Sequence, residues 1–265
     1  MNKKICFVFS LLILGYVVFA QGISLEEAGL LLEKAQKNTA FYESDLIAHY
    51  TIVQENPGSG KSMTDADMYR RDSEKKWTAL ITGPSSEKGK GYLQFDGNIW
   101  FFDPTDKRFT FTSAKDKFQG TNANNSDFMP QKYYSSYSIE SATPVVLGKL
   151  NCVLFNLKAK GDDVDYPFLK LWVTRDDGLV RKKEDYSKSG QLLRTSLIPS
   201  YQIVEGNGRK NMLPVKMLIV DNLRGKKIDG KMQYERTQIS ISNAVFKNEE
   251  NIVYSKPFLE MMSVK

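Results

Sequence analysis

Several short stretches of the chain bring together residue types that do chemistry. Gly58-Ser-Gly-Lys-Ser62 has the look of a phosphate-binding loop. The Walker pattern needs another glycine five residues before the second one, but Glu55 stands there, and an alternating strand follows instead of a helix whose N-terminus could hold phosphate. The segment reads as a hairpin turn. Asp162-Asp163-Val164-Asp165 suggests calcium, yet Tyr166 and Pro167 fill positions where an EF-type loop needs a ligand and a glycine, so a solvated turn is expected. Asp65 and Asp67 share one face of a strand, but acid/base work needs one carboxyl desolvated. Nearby Lys61, Arg70 and Arg71 point to ion pairing instead. His49 is the single histidine, and the cysteines are Cys6 and Cys152. Cys/His zinc sites and Cys–His catalysis therefore lack their raw material. No serine sits in a G-x-S-x-G setting. The sequence reads as no enzyme, with no catalytic residue, metal or cofactor expected.

A different chemistry is concentrated between Trp77 and Phe111, where large apolar side chains recur at period two. Trp77, Ala79 and Ile81 share one strand face. Leu93 and Phe95 follow on the next strand, then Ile99 and Phe101 with Trp100 and Phe102 opposite, then Phe109 and Phe111. Bulk on both faces of a strand means that both faces are covered. An antiparallel sheet curled round an apolar hollow is a natural container for acyl chains. An ordinary sandwich core satisfies the same pattern, and the residues alone leave both open. As a container, its lining would be Trp77, Leu93, Phe95, Ile99, Phe101, Phe109 and Phe111.

These residues need elements to position them. Ser24-Leu-Glu-Glu27 is a capping box, and Leu25, Ala28, Leu31, Leu32 and Ala35 repeat at helical spacing before Asn38, which predicts a helix over 25–37. After it the period is two, as in Leu46 to Val53, Val153 to Lys160, Val215 to Ile219 and Ile239 to Ile241. Turn signals such as Asp96-Gly97, Asp103-Pro104 and Lys188-Ser-Gly190 separate the runs. About ten or eleven strands in one antiparallel sheet are expected. The stretch from Lys115 to Ser138, rich in Asn, Ser and Tyr, is too long for a hairpin loop and reads as a lid or binding segment carrying Phe128 and Met129.

Lys3 and Lys4 precede an apolar run from Ile5 to Ala20, so residues 1–20 read as a signal peptide cut before Gln21, with a signal anchor as the alternative. A single domain over 21–265 follows. Leader removal lowers the net charge from +6 to +4 and leaves Cys152 as a lone thiol, expected to be buried. A mild charge without a basic, base-stacking stripe does not point to nucleic acid.

The run Gly91-Tyr-Leu93 with Asp96-Gly-Asn-Ile-Trp-Phe-Phe-Asp-Pro104 resembles a hairpin signature of the bacterial outer-membrane lipoprotein-sorting family, the LolA/LolB-like proteins. Gly83-Pro84, Ser126-Asp-Phe128, Gly148 to Leu154, Leu171-Trp-Val173 and Asp185 to Leu193 fit in order, across most of Ser24 to Phe246. The agreement is closest to the longer group called outer membrane lipoprotein-sorting proteins. The resemblance implies a mainly β fold: an incomplete antiparallel barrel with an N-terminal helix and short helices over the open side. It also implies a periplasmic carrier that takes lipoprotein acyl chains, or related lipids, from an inner-membrane transporter toward an outer-membrane acceptor. Arg71, with Arg70 beside it, is the match to the family's functional arginine. The residues after Phe128 depart from the family's acidic pattern. The alternative role on the same fold is an accessory or sensor protein acting through a protein partner.

Overall fold

In the computed structural model, which describes residues 22–263, Ser24 opens the first helix, α1 (Leu25–Lys37). The backbone N–H of Glu27 donates to Ser24 Oγ at 3.2 Å, and the backbone N–H of Ser24 donates to a Glu27 carboxylate oxygen at 2.9 Å. Acids in the first turn and lysines in the last complement the helix dipole. Ala28, Leu32 and Ala35 form its buried stripe. The expected leader and its cleavage point lie outside the described residues. No described helix is long and apolar enough to cross a membrane.

Thirteen strands follow: β1 (Leu46–Asn56), β2 (Gly60–Arg71), β3 (Lys76–Gly83), β4 (Gly91–Phe95), β5 (Asn98–Asp103), β6 (Arg108–Thr112), β7 (Tyr137–Leu147), β8 (Leu150–Ala159), β9 (Phe168–Thr174), β10 (Val180–Tyr186), β11 (Leu192–Gly206), β12 (Arg209–Ile228) and β13 (Lys231–Phe246). They form one antiparallel sheet in the order β6-β5-β4-β3-β2-β1-β13-β12-β11-β10-β9-β8-β7. The count exceeds the ten or eleven expected. β10, Val-Arg-Lys-Lys-Glu-Asp-Tyr, carries charge at its inward positions.

The sheet is mainly β architecture left open, an incomplete barrel with β6 and β7 as free edges. Those edges are consecutive in sequence. The segment joining them (residues 113–136) contains 3-10 turns at Phe118–Gly120 and Asn125–Phe128 and a short helix, α2 (Tyr133–Ser136). Register defines the inner face, where Phe155, Leu171, Lys183, Ser196, Ile219, Thr237 and Gln54 form one row across neighbouring strands. Near one edge, α1 with Tyr133 and Tyr137 packs on Val153, Phe155, Leu157, Leu171 and Val173. Near the other, Phe118, Ala123 and Phe128 pack on Trp77, Ala79, Ile81 and Tyr92.

The outer face of β3 to β6 is covered separately by the 3-10 turn Asn251–Tyr254 and helix α3 (Lys256–Met262). The fit is close at Gly91, where a Cβ would lie 2.6 Å from Leu259 Cδ2 and 2.9 Å from the Ala79 carbonyl oxygen. Cys152 is buried, and burial pushes its thiol up.

A hollow beside a filled core

The aromatic run does not enclose one void. Asp96 and Gly97 both have positive φ (49° and 76°) and make a two-residue turn, so Leu93 pairs with Trp100 and Gln94 with Ile99. Trp77, Ile99 and Phe101 therefore face inward with Tyr92, whereas Leu93, Phe95, Phe102 and Phe109 lie on the outer face under the C-terminal segment. Phe111 is 63% exposed and meets Trp100 edge-on at 6.3 Å. The expected seven-residue lining is thus divided between two faces.

The inward rings are packed against one another. Trp77 stacks parallel to Phe128 with centroids 6.1 Å apart, Phe118 lies 4.8 Å from Phe128, and Tyr92 lies 4.6 Å from Phe118. Phe128, expected on a lid, is a buried part of this core. Residues 113–136 act here as a plug.

Open space lies elsewhere. A hollow of about 470 Å³ is bounded by Gln36 of α1, the plug from Ser126 to Tyr137, Lys75 and Lys76 before and within β3, and Asp163 to Tyr166 before β9. A second, of about 100 Å³, adjoins it and is lined mainly by apolar groups, among them Phe41, Tyr50, Leu179, Ile198, Leu213 and Met217. Arg70, Met129, Gln131, Tyr133 and Lys183 belong to both walls and make up their shared stretch, the neck. Of the expected site residues, Trp77 and Met129 line the larger hollow, and Phe128 and Met129 the smaller.

The neck is polar and buried. Arg70 donates to Asp72 at 2.6 Å and to the Thr39 carbonyl at 2.9 Å, and its guanidinium lies 5.3 Å from the Phe41 ring centre. Burial works against the Arg70 charge, but Asp72 outweighs it and keeps the guanidinium cationic. Arg71 points the other way. It donates to Asp45 at 2.9 and 2.8 Å, contacts Asn251, and lies 4.7 Å from the Tyr254 ring, clasping the C-terminal segment to the start of β1. Alternation along β2 places only one of two adjacent arginines inside, and it is Arg70, not Arg71, that reaches the hollow.

Beside the neck a buried ion cluster fastens the plug. Arg194 donates to Asp127 of the plug at 2.6 Å and to Asp185 at 2.8 Å, and Lys183 lies 3.2 Å from Asp185. Burial alone would raise the Asp127 carboxyl, but the Arg194 and Lys183 charges outweigh it and hold it below its usual value. Further along, the Asn122 backbone N–H donates to Thr237 at 2.8 Å and to Gln54 at 3.1 Å. Sequence reasoning missed this cluster. Its available signal was Lys183 and Asp185, two apart and so on one face of a strand. The Asp65/Asp67 pair meets neither Lys61 nor Arg70 nor Arg71: Asp67 lies 2.8 Å from His49 Nδ1 and Asp65 accepts from Thr51 at 2.8 Å.

A curved, open antiparallel sheet, plugged across its gap and lined inside by a helix, defines the LolA-type fold, and solved structures bear that out. The chain is similar to a LolA superfamily protein from Nitrosomonas europaea, with 21% identity, TM-score 0.69, and 87% of this chain and 98% of that one covered. It is similar to a domain from Vibrio parahaemolyticus assigned as an outer membrane lipoprotein-sorting protein, with 14% identity, TM-score 0.72, and coverage of 88% and 97%. It is also similar to a DUF1329 family protein from Desulfovibrio piger, with 15% identity, TM-score 0.71, and coverage of 88% and 98%. No curated protein matches the chain. A family model described as "uncharacterized protein" and DUF1329-like matches residues 73–260, and the chain belongs to that family.

Proposed function

We propose that this protein is a periplasmic carrier that binds acyl chains, those of a lipoprotein or a related lipid, in the paired hollows between α1, the plug and the inner sheet face. The observation that carries this reading is the 470 Å³ space with an apolar annex against the same wall residues, on a LolA-type fold. A volume of that size is within the range of small-ligand sites. Each methylene moved from water into the apolar annex gains about 0.8 kcal/mol. Handover from an inner-membrane transporter to an outer-membrane acceptor is the role that fits a carrier of this fold, and the site calls for binding residues rather than catalytic ones.

The test is uptake of a fluorescent fatty-acyl probe by the chain from Gln21 onward. Met217→Glu puts an unpaired carboxylate on the wall of the annex and is expected to weaken uptake at least about tenfold. Met217→Trp, which fills the annex without charge, is expected to weaken it as well. Phe111→Ser, on the exposed edge, is expected to leave it unchanged. Failure of the native chain to take up the probe overturns the proposal. A stable protein partner recovered without lipid would then favour the accessory or sensor role.

A further inference from the structure

The ladder between β12 and β13 outruns both of its neighbours. β11 pairs with β12 only as far as Asp221, and β1 pairs with β13 only as far as Arg236. Beyond these points Gly225 to Ile228 pair with Lys231 to Tyr234 alone, closed by the Asp229-Gly230 turn. Residues 222–234 therefore project as a two-stranded arm.

Arg224, Lys226, Lys227 and Lys231 against Asp229 give a net +3 in thirteen residues, half the net charge of the whole chain. Among the described residues, Lys226, Lys227 and Lys231 make no ion pair, and Arg224 has only Asp221 at 3.9 Å. Lys226 lies against the β1–β2 turn, where a Cβ on Gly58 would come 3.0 Å from its Nζ. Leu223, Met232 and Tyr234 are 54%, 55% and 40% exposed. Register places Met232 and Tyr234 on one face with Lys227, and Lys226 and Lys231 on the other, so both faces of the arm carry lysine.

We infer that this arm docks the protein on an anionic lipid surface. Free cations complement anionic head groups, and the exposed aliphatic, thioether and phenol side chains suit the boundary between head groups and acyl chains. The arm's ladder satisfies its own backbone, so its approach to lipid leaves few peptide groups to desolvate. An acidic polypeptide would use the cations but would leave Leu223 and Met232 without a role. The arm lies outside both hollows, so docking is separable from acyl binding.

The test is flotation of the chain from Gln21 onward, which keeps every described element, with vesicles of phosphatidylcholine alone or mixed with phosphatidylglycerol. Binding is expected only to the mixed vesicles and is expected to weaken as salt rises. The triple variant Lys226→Glu, Lys227→Glu, Lys231→Glu is expected to bind about tenfold more weakly or worse. Leu223→Ser with Met232→Ser is expected to weaken binding about fivefold or more. Both variants should keep the native Tm and acyl-probe uptake, because the arm packs on no core. Native protein that ignores the mixed vesicles overturns the inference, as does a charge-reversed variant that binds them undiminished. Binding to poly-glutamate but not to vesicles would mark the arm as a protein dock and overturn it equally.

Discussion

The two ends of the inner face use the same strand geometry to opposite effect. Under β3 to β5 the inward positions are Trp77, Tyr92, Ile99 and Phe101, and the plug drives Phe118 and Phe128 among them until little space is left. Under β9 to β11 the inward positions include Lys183, Asp185 and Arg194, whose charges must pair and so cannot collapse into a close-packed layer. The hollows draw their lining from both ends, Trp77 and Phe128 from the filled one and Lys183 from the charged one. Aromatic density predicts a filled core, since rings interdigitate. Space persists where charged and hydrogen-bonded groups hold the walls at fixed separations.

The most damaging way to test that contrast is Arg194→Ala. It leaves Asp127 and Asp185 buried without their shared cation and is expected to cost about 3–5 kcal/mol in denaturant unfolding. Limited proteolysis should then cut within residues 113–136, because the plug loses its fastening. Phe118→Ala, at the filled end, is expected to cost about 3–4 kcal/mol through the cavity it opens, while acyl-probe uptake stays native. A rise in uptake would merge the two ends into one site and erase the contrast. Arg71→Gln is expected to cost about 1.5–3 kcal/mol through its bonds to Asp45 and to leave uptake unchanged, as befits an arginine outside the hollow.

The smallest effect is acid loosening of the plug. A carboxyl held down in the fold, as Asp127 is, takes up its proton at higher pH when unfolded. Its stabilising share is complete above the unfolded value of about 4 and is lost as pH falls through the folded one. Tm should drop and cleavage in 113–136 should rise as pH falls below about 4. Asp127→Asn should flatten that dependence.

The elements were more legible in the sequence than the site. Ser24 and Glu27 announce α1, whose bounds match the expected 25–37, because capping is a local interaction. Hairpin turns such as Asn56-Pro-Gly58 are local too. The two faces of β4 and β5 were also open to reading, since a two-residue Asp-Gly turn sets Phe95 against Asn98 and so puts Leu93 beside Trp100. What resisted was register across the longer β3–β4 connection, where Ala79 meets Tyr92, and the meeting of Asp127 with Arg194 from a distant strand. Neither follows from any local pattern. β10 shows no apolar alternation, because its inner positions carry charge.

The pairing of the first strand with the last has a bearing on how the molecule comes into being. Leu46 meets Phe246, and Arg71 reaches the carbonyl of Glu249, so the centre of the sheet is stitched from opposite ends of the polypeptide. As the chain is made, β1 leaves a raw margin on the leading half until β13 has followed. The sheet therefore closes about its centre only once β13 is available, and such distant partners make that step slow.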